Sequence, residues 1–228
     1  MSIITFYKFS GAFIIMVALG FTISQIGVTK IFNYPQILRE SSDIILNKFY
    51  EGGVKLKFFW SLFALSSLML IPMSAIFYTI LNKNDTPYLI IGETFGIASG
   101  IFYVLGLMRW VFLADRLSKE YINMNITTEK KEIIEIIFKS FHVYCGNSIG
   151  ETLGFLCMGV WIIIVGISMS AHSIFPKLIG AGFITCGIGI MVAPLEWLGF
   201  KFTNKINKVS MKFLMLLLVF VGVRLIMY

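Results

Sequence analysis

Charge is what this chain has least of. Only 14% of its residues are Asp, Glu, Lys or Arg, against about 25% in soluble globular domains. Hydrophobic residues make up 57%, and the mean hydropathy is +0.86. A soluble fold of 228 residues would need a charged shell that this composition does not supply. Cysteine and histidine are scarcer still. Cys145, Cys157 and Cys186 all fall within apolar runs and read as small packing residues, with neither the number nor the spacing of a disulfide framework or a zinc set. His142 opens the fourth apolar run and His172 lies beyond its far end, so the two cannot share a haem. His142 and Cys145 lie three apart, but no third and fourth ligand accompany them. His-Glu-x-x-His, phosphate-cradling glycine loops and Gly-x-Ser-x-Gly elbows are missing. So is an acid-rich motif that would hold a metal on a diphosphate. Ser148 is six positions from His142 and off its helical face, which removes a serine–histidine hydrolase pair. We therefore expect a non-enzyme with no metal and no cofactor.

What the chain has is six apolar runs, at about residues 10–28, 58–81, 87–114, 144–170, 175–200 and 209–228. Roughly 20 predominantly apolar residues cross the hydrocarbon core of a bilayer. The expected fold class is all-α, a polytopic transmembrane bundle of six helices, forming a single integral membrane domain over residues 1–228. Trp60, Trp110, Trp161 and Trp197, with Tyr50, Tyr88 and Tyr121, sit mostly near the predicted interfaces and read as belt residues.

The net charge of +7 is no sign of nucleic acid, because the basic residues lie in loops beside apolar runs. Of 19 Lys and Arg, 14 fall in residues 29–57, 115–143 and 201–212, four lie on the other side (Lys8, Lys83, Lys177 and Arg224), and Arg109 lies within run three. The positive-inside rule makes loops 29–57, 115–143 and 201–208 cytoplasmic and puts both termini outside, in a bacterial cytoplasmic membrane. The first run is read as a retained helix rather than a cleaved signal peptide. The outer loops, about 82–86 and 171–174, are short and force antiparallel neighbours. Two cytoplasmic stretches are amphipathic. Pro35 suits the opening turn of the first, where Leu38, Ile45 and Phe49 face away from Glu40, Asp43, Asn47 and Glu51, and Gly52-Gly53 ends it. Thr128 is the expected cap of the second, with Ile134, Ile137, Phe138 and Phe141 opposite Glu132, Glu135 and Lys139. Both are expected at the inner membrane surface or under the bundle.

Glycine spacing marks close helix packing. Gly92, Gly96 and Gly100 recur every four residues in run three, and Gly146, Gly150 and Gly154 in run four. The surrounding words, Ile91-Gly-Glu-Thr-Phe-Gly96 and Ile149-Gly-Glu-Thr-Leu-Gly154, are nearly identical. An inverted three-plus-three repeat would match run one with run four, so the similarity is read as chance. Ionisable residues inside a membrane are costly and normally paired. By helical rise, Arg109, Glu151 and Glu196 fall in one inner layer, with Gln25, Asn147 and His142 near the same depth. Glu93 and Arg224 form a second, outer pair. An arginine between two carboxylates would satisfy its fork and keep both acids ionised.

The words Tyr34-Pro-Gln-Ile-Leu-Arg-Glu40, the Gly52-Gly53 step, Gly106-Leu-Met-Arg-Trp110 and Gly150-Glu-Thr-Leu-Gly154 resemble an uncharacterised family of bacterial inner-membrane proteins of the domain-of-unknown-function type. The resemblance runs from about Tyr34 to Gly199. It implies Arg-Trp at 109–110, Gly-Glu at 150–151 and a Glu near 196 as shared features. Many members have proline where this chain has Asp115, and Glu93 lies outside the pattern. The resemblance brings no activity with it. Two functions stay open. The inner layer lines a site for a small solute, a proton or a lipid headgroup, or it only fixes helix packing in a structural or accessory subunit. A membrane enzyme acting on lipid or isoprenoid is a distant third. The expected partner is the bilayer, and the oligomeric state is open.

Overall fold

In the computed structural model, which describes residues 2–82 and 86–228, the chain is helical throughout and no strand occurs among the described residues. Lys83, within the predicted outer loop, lies outside them. Six helical rods are long and apolar enough to cross a membrane: Ile3–Phe32, Ser42–Leu81, Tyr88–Tyr121, Thr128–Ala171, Lys177–Leu198 and Thr203–Met227. The protein is thus built as a membrane-integral bundle, in which helices satisfy every backbone group within their own segment.

Local chemistry explains where each rod starts, bends and stops. Helix α1 (Ile3–Phe32) begins where the Ser2 hydroxyl accepts from the Thr5 N–H, and it ends at Asn33, left-handed at φ 52°, whose N–H returns to the Thr29 carbonyl. Helix α2 (Ser42–Leu68) is broken at Gly53, at φ 52° and ψ −145°, a conformation in which a side chain would be strained. Helix α3 (Leu70–Leu81) continues the second rod after an interruption at Met69. Pro72 lacks an N–H and its ring crowds the carbonyl of Leu68, which places the interruption there. Helix α4 (Tyr88–Met108) runs through a π-helical stretch, Arg109–Ala114, into α5 (Asp115–Tyr121). Helix α6 (Thr128–Phe141), capped by Thr127, runs through a second π stretch, His142–Leu153, into α7 (Gly154–Ala171). After α8 (Lys177–Met191) the chain tightens into a 3₁₀ turn, Ala193–Leu198, started by Pro194, and α9 (Thr203–Met227) closes the fold.

The rods pack in chain order and the sixth returns to the first, giving a closed up-and-down ring: α1 on α2, α2 and α3 on α4, α4 on α7, α7 on α8, α8 on α9 and α9 on α1. Both termini lie at one end, where Tyr7 and Tyr228 meet edge-on at 5.6 Å. Helices α7 and α8 meet along a close glycine seam. A Cβ on Gly159 would sit 2.7 Å from the Gly187 carbonyl oxygen, and one on Gly166 would sit 2.7 Å from that of Gly180. Side chains there would push the helices apart. The glycines of run three also pack closely, Gly92 on Ile164, Gly96 on Ser74 and Trp161, and Gly100 on Ile71.

Three expectations change. Trp60, Trp110 and Trp161 are not belt residues: they are 0%, 1% and 1% exposed, and only Trp197 faces outward. Trp60 and Trp110 stack at 4.9 Å, with Phe32 edge-on to both. These flat faces pack against one another inside the ring, where smaller side chains would leave a void. Only the second amphipathic stretch runs unbroken into a span; in the first, residues 42–52 form a helical piece that the break at Gly53 ends, as expected. The first is a 3₁₀ turn, Gln36–Arg39, followed by the start of α2, with Ser41 rather than Pro35 at its N-terminus. The second, α6, continues without a break into the fourth span. Ile134 and Phe138 of its stripe are buried, with Phe138 against Trp110 at 5.9 Å, while Ile137 and Phe141 stay exposed. Asp115, where the resemblance implies proline, continues the helix and accepts from both Lys57 and Lys119 at 2.9 Å, tying α5 to α2.

Replacing Gly187 by Val tests the seam. Overpacking of this kind costs roughly 1–3 kcal/mol, so thermal unfolding in detergent should show a lowered midpoint. An unchanged midpoint would mean that α7 and α8 do not approach this closely.

Candidate functional site

The end of the ring opposite the termini contains a cavity of about 150 Å³, enough for several waters or a small molecule. Its floor is made by spans three and four. Gly106 and Gly150 meet there without side chains: a Cβ on Gly106 would lie 2.9 Å from the Gly150 Cα and 3.1 Å from the Cys145 carbonyl oxygen. Both spans are π-wound at this depth. Such winding is rare and concentrates at functional sites, because the wider turn frees a backbone carbonyl and re-aims the side chains after it.

Arg109 stands at the start of the first π stretch. Its Nη1 donates to the Gly106 carbonyl, and its Cζ lies 5.0 Å from the Trp110 ring centroid. Gly146 leaves room for the guanidinium, since a Cβ there would sit 2.5 Å from Nη2. The Nε is buried without a partner. Glu151 lines the same cavity. Among the described residues no ion pair joins Arg109 to Glu151 or to Glu196.

Glu196 does line the cavity, but the arginine it meets is Arg39. Arg39 Nη2 donates to both oxygens of Glu196, at 2.9 and 3.0 Å. Asn204 Nδ2 donates to Oε1 at 3.3 Å, and the Arg39 guanidinium lies 5.2 Å from the Trp197 ring centroid. The expected fork of Arg109 between two carboxylates is therefore not formed. The segment carrying Arg39 folds back over the ring and reaches Glu196 first, because α8 gives way to the 3₁₀ turn at Pro194. Arg39 and Glu196 keep 40% and 19% side-chain exposure, so they sit at the mouth and Arg109 below it.

Gln25 and Tyr34 also line the cavity. Burial first, then the charge of Glu151, pushes the Tyr34 hydroxyl above its ordinary range, so it remains a donor at neutral pH. His142 and Asn147 do not line it. His142 stacks on Phe138 at 5.6 Å and meets Trp110 edge-on at 5.8 Å. The Asn147 carbonyl accepts from the Thr152 hydroxyl at 2.7 Å, a five-residue span made by the π winding. The outer pair does not form either: Arg224 Nε donates to the Ile174 carbonyl at 3.1 Å, and no ion pair reaches Glu93 among the described residues. Arg224 is on α9, which packs on α1 and α8, whereas Glu93 is on α4, which packs on α2, α3 and α7. Gly150 and Gly154 pack on Gly106 and Tyr103. No group of three or more His, Cys, Asp or Glu among the described residues is placed to hold a metal.

Arg39, Tyr34 and Asn204 were missed as site residues. The first two stood inside a resemblance word, Tyr34-Pro-Gln-Ile-Leu-Arg-Glu40, but a loop assignment hid their approach to the cavity. Asn204 carried no signal.

A closed ring of six apolar spans around a cavity with a few convergent polar groups defines a multi-pass membrane protein. The chain belongs to the family described as Domain of unknown function (DUF4386), whose model matches residues 9–227. No curated protein matches it, and no solved structure does.

The mouth pair is part-exposed, so it should add little stability, about 0.2–1 kcal/mol of coupling. A double-mutant cycle with Arg39→Gln and Glu196→Gln, read by thermal unfolding, measures it. A coupling of about 3 kcal/mol would instead mark the pair as a buried lock.

Proposed function

We propose that the protein binds, and in doing so carries or senses, a small polar solute or proton at the Arg109–Glu151 cavity. The observation that carries this reading is the unmatched pair of charges. A bundle that used these residues only to hold its helices in register would bring guanidinium and carboxylate together, because a buried lone charge is costly. Here each faces a shared space instead. Two π-wound spans at that depth, a lining that is mostly apolar with a few convergent polar groups and a polar mouth pair all support a ligand site. We assign no catalytic residue and no cofactor.

The loop end of the ring, with most of the Lys and Arg, faces the cytoplasm in this reading, and both termini face the other side. The membrane is the bacterial cytoplasmic membrane. The α6 region and the start of α2 then form a cytoplasmic collar that supports the cavity floor through Trp110. A second reading, a structural or accessory subunit, draws on the contacts Arg109 does make, with the Gly106 carbonyl and the Trp110 ring.

Replacing Arg109 and Glu151 together by Met separates the two. The fold should survive, since apolar residues of similar volume often replace buried charges at no cost. A solute at a hundredfold its Kd stabilises a native protein by about 2.7 kcal/mol. A thermal-shift screen of small polar solutes should therefore find at least one that raises the wild-type midpoint and leaves the double variant unmoved. If every solute acts alike on both proteins, the accessory reading stands.

A further inference from the structure

Resting on the reading of this cavity as a solute site, we infer that the solute is a monovalent anion with a compact apolar body, in chemical terms a short aliphatic or aromatic carboxylate. Hydrogen bonding leads there first. Three polar atoms on residues lining the cavity are buried without a partner: Arg109 Nε, Trp60 Nε1 and Asn207 Oδ1. The first two can only donate. A half-turn of the Asn207 amide exchanges its oxygen for an NH₂, so that residue can donate as well. Trp60 is stacked on both faces, by Trp110 at 4.9 Å and by Phe63 at 6.0 Å, which leaves its N–H as the part that still lacks a contact. Among the described residues no carboxylate oxygen is buried and unbonded. The lining is therefore short of acceptors, and a buried donor left unmatched costs its desolvation.

Charge points the same way. Arg39 and Glu196 neutralise each other at the mouth. The other charged residues lining the cavity are Arg109, Lys208 and Glu151, and none has an ion-pair partner among the described residues. Two cations against one carboxylate leave a surplus of one positive charge. Water can accept from the donors but does not offset that charge. A cation would add to it, and a dianion would exceed it and meet Glu151. A monoanion supplies the acceptors and neutralises the surplus.

The apolar body follows from the lining below the charges. Helix α9 carries Asn204 and Lys208 toward the mouth, then Met211 and Met215 about one and two turns deeper. Span four repeats the order, with Glu151 followed by Phe155 and Met158. The cavity thus has a charged upper part and an apolar lower part. Its volume of about 150 Å³ is the space that holds one benzene-sized body. An inorganic anion would leave the lower part without a partner, and a long acyl chain would not fit.

The test uses the full chain purified in a nonionic detergent, with thermal unfolding followed at an ionic strength held constant by sodium chloride. Benzoate and hexanoate are the expected binders. Acetate and sulfate present charge without the body, benzyl alcohol the body without charge, and benzylamine the body with the opposite charge. Benzoate or hexanoate should raise the wild-type midpoint at a concentration about tenfold or more below that needed by any of these. Decanoate, too long for the cavity, should bind no tighter than hexanoate. Lys208→Gln and Arg109→Gln should each weaken the better carboxylate about tenfold and leave benzyl alcohol unaffected. Acetate, sulfate, benzyl alcohol or benzylamine acting at the same concentration as benzoate and hexanoate overturns the inference. So does tighter binding of decanoate, or carboxylate binding unchanged in both variants. In each of those cases the solute site stands. If no carboxylate stabilises the protein the inference falls, and the site falls with it only where the screen of polar solutes also finds nothing. The wild-type series decides the charge and size preference by itself, so the result does not depend on the variants folding.

Discussion

The bare contact between Gly106 and Gly150 is the constraint on which the rest of the candidate site depends. It lets spans three and four touch backbone to backbone, with no Cβ between them. Close approach brings Gly146 under the Arg109 guanidinium and places Arg109 and Glu151 on the same cavity. In lipid, apolar burial gives helices little reason to associate, so backbone proximity and polar contacts must supply it. The π winding of both spans follows the same need. It shifts side chains around the helix axis, so that a guanidinium and a carboxylate face the ring interior rather than lipid.

Polar groups in this molecule divide into those that are matched and those that are not. Asp115 holds two lysines, Glu196 holds Arg39 and Asn204, and Arg224 finds a backbone carbonyl. Each lies toward an end of the bundle, where water relieves the cost of an imperfect pair. Arg109 and Glu151 lie deeper, where the cost is highest, yet they are the ones left apart. The aromatic layer of Trp60 and Trp110 beneath the mouth lowers the local dielectric and so raises that cost further. Large flat rings also hold the cavity open, because they cannot collapse into it as flexible side chains would.

Much of the fold was legible because it follows from length and hydropathy alone. Six apolar runs gave six rods, with boundaries extended wherever a polar helical turn, such as 115–121 or 128–141, continued a span. Residues 115–121 look like loop by composition, but polar residues make backbone hydrogen bonds as readily as apolar ones; residues 128–141 read as a helix, and only their continuity with the span was hidden. Helical rise placed Arg109, Glu151 and Glu196 in one layer; all three line one cavity, with Glu196 at its mouth and Arg109 below it. Their partners did not follow from helical rise, because partner choice depends on how a loop folds back. Residues 33–41 bring Arg39 to Glu196, and no periodicity within that segment encodes the approach. Belt and core tryptophans share one sequence signature near span ends, and only the packing of Phe32 and Phe49 separates them. The outer pair failed for a topological reason: equal depth is not adjacency in a ring of six.

The most direct test is a high-resolution structure of the full chain in lipid nanodiscs, read at the space between Arg109 and Glu151. The account predicts that the two side chains stay beyond ion-pair distance, about 4 Å, with ordered non-protein density bridging them. A guanidinium resting directly on the Glu151 carboxylate, with the cavity collapsed and no density between them, would contradict it.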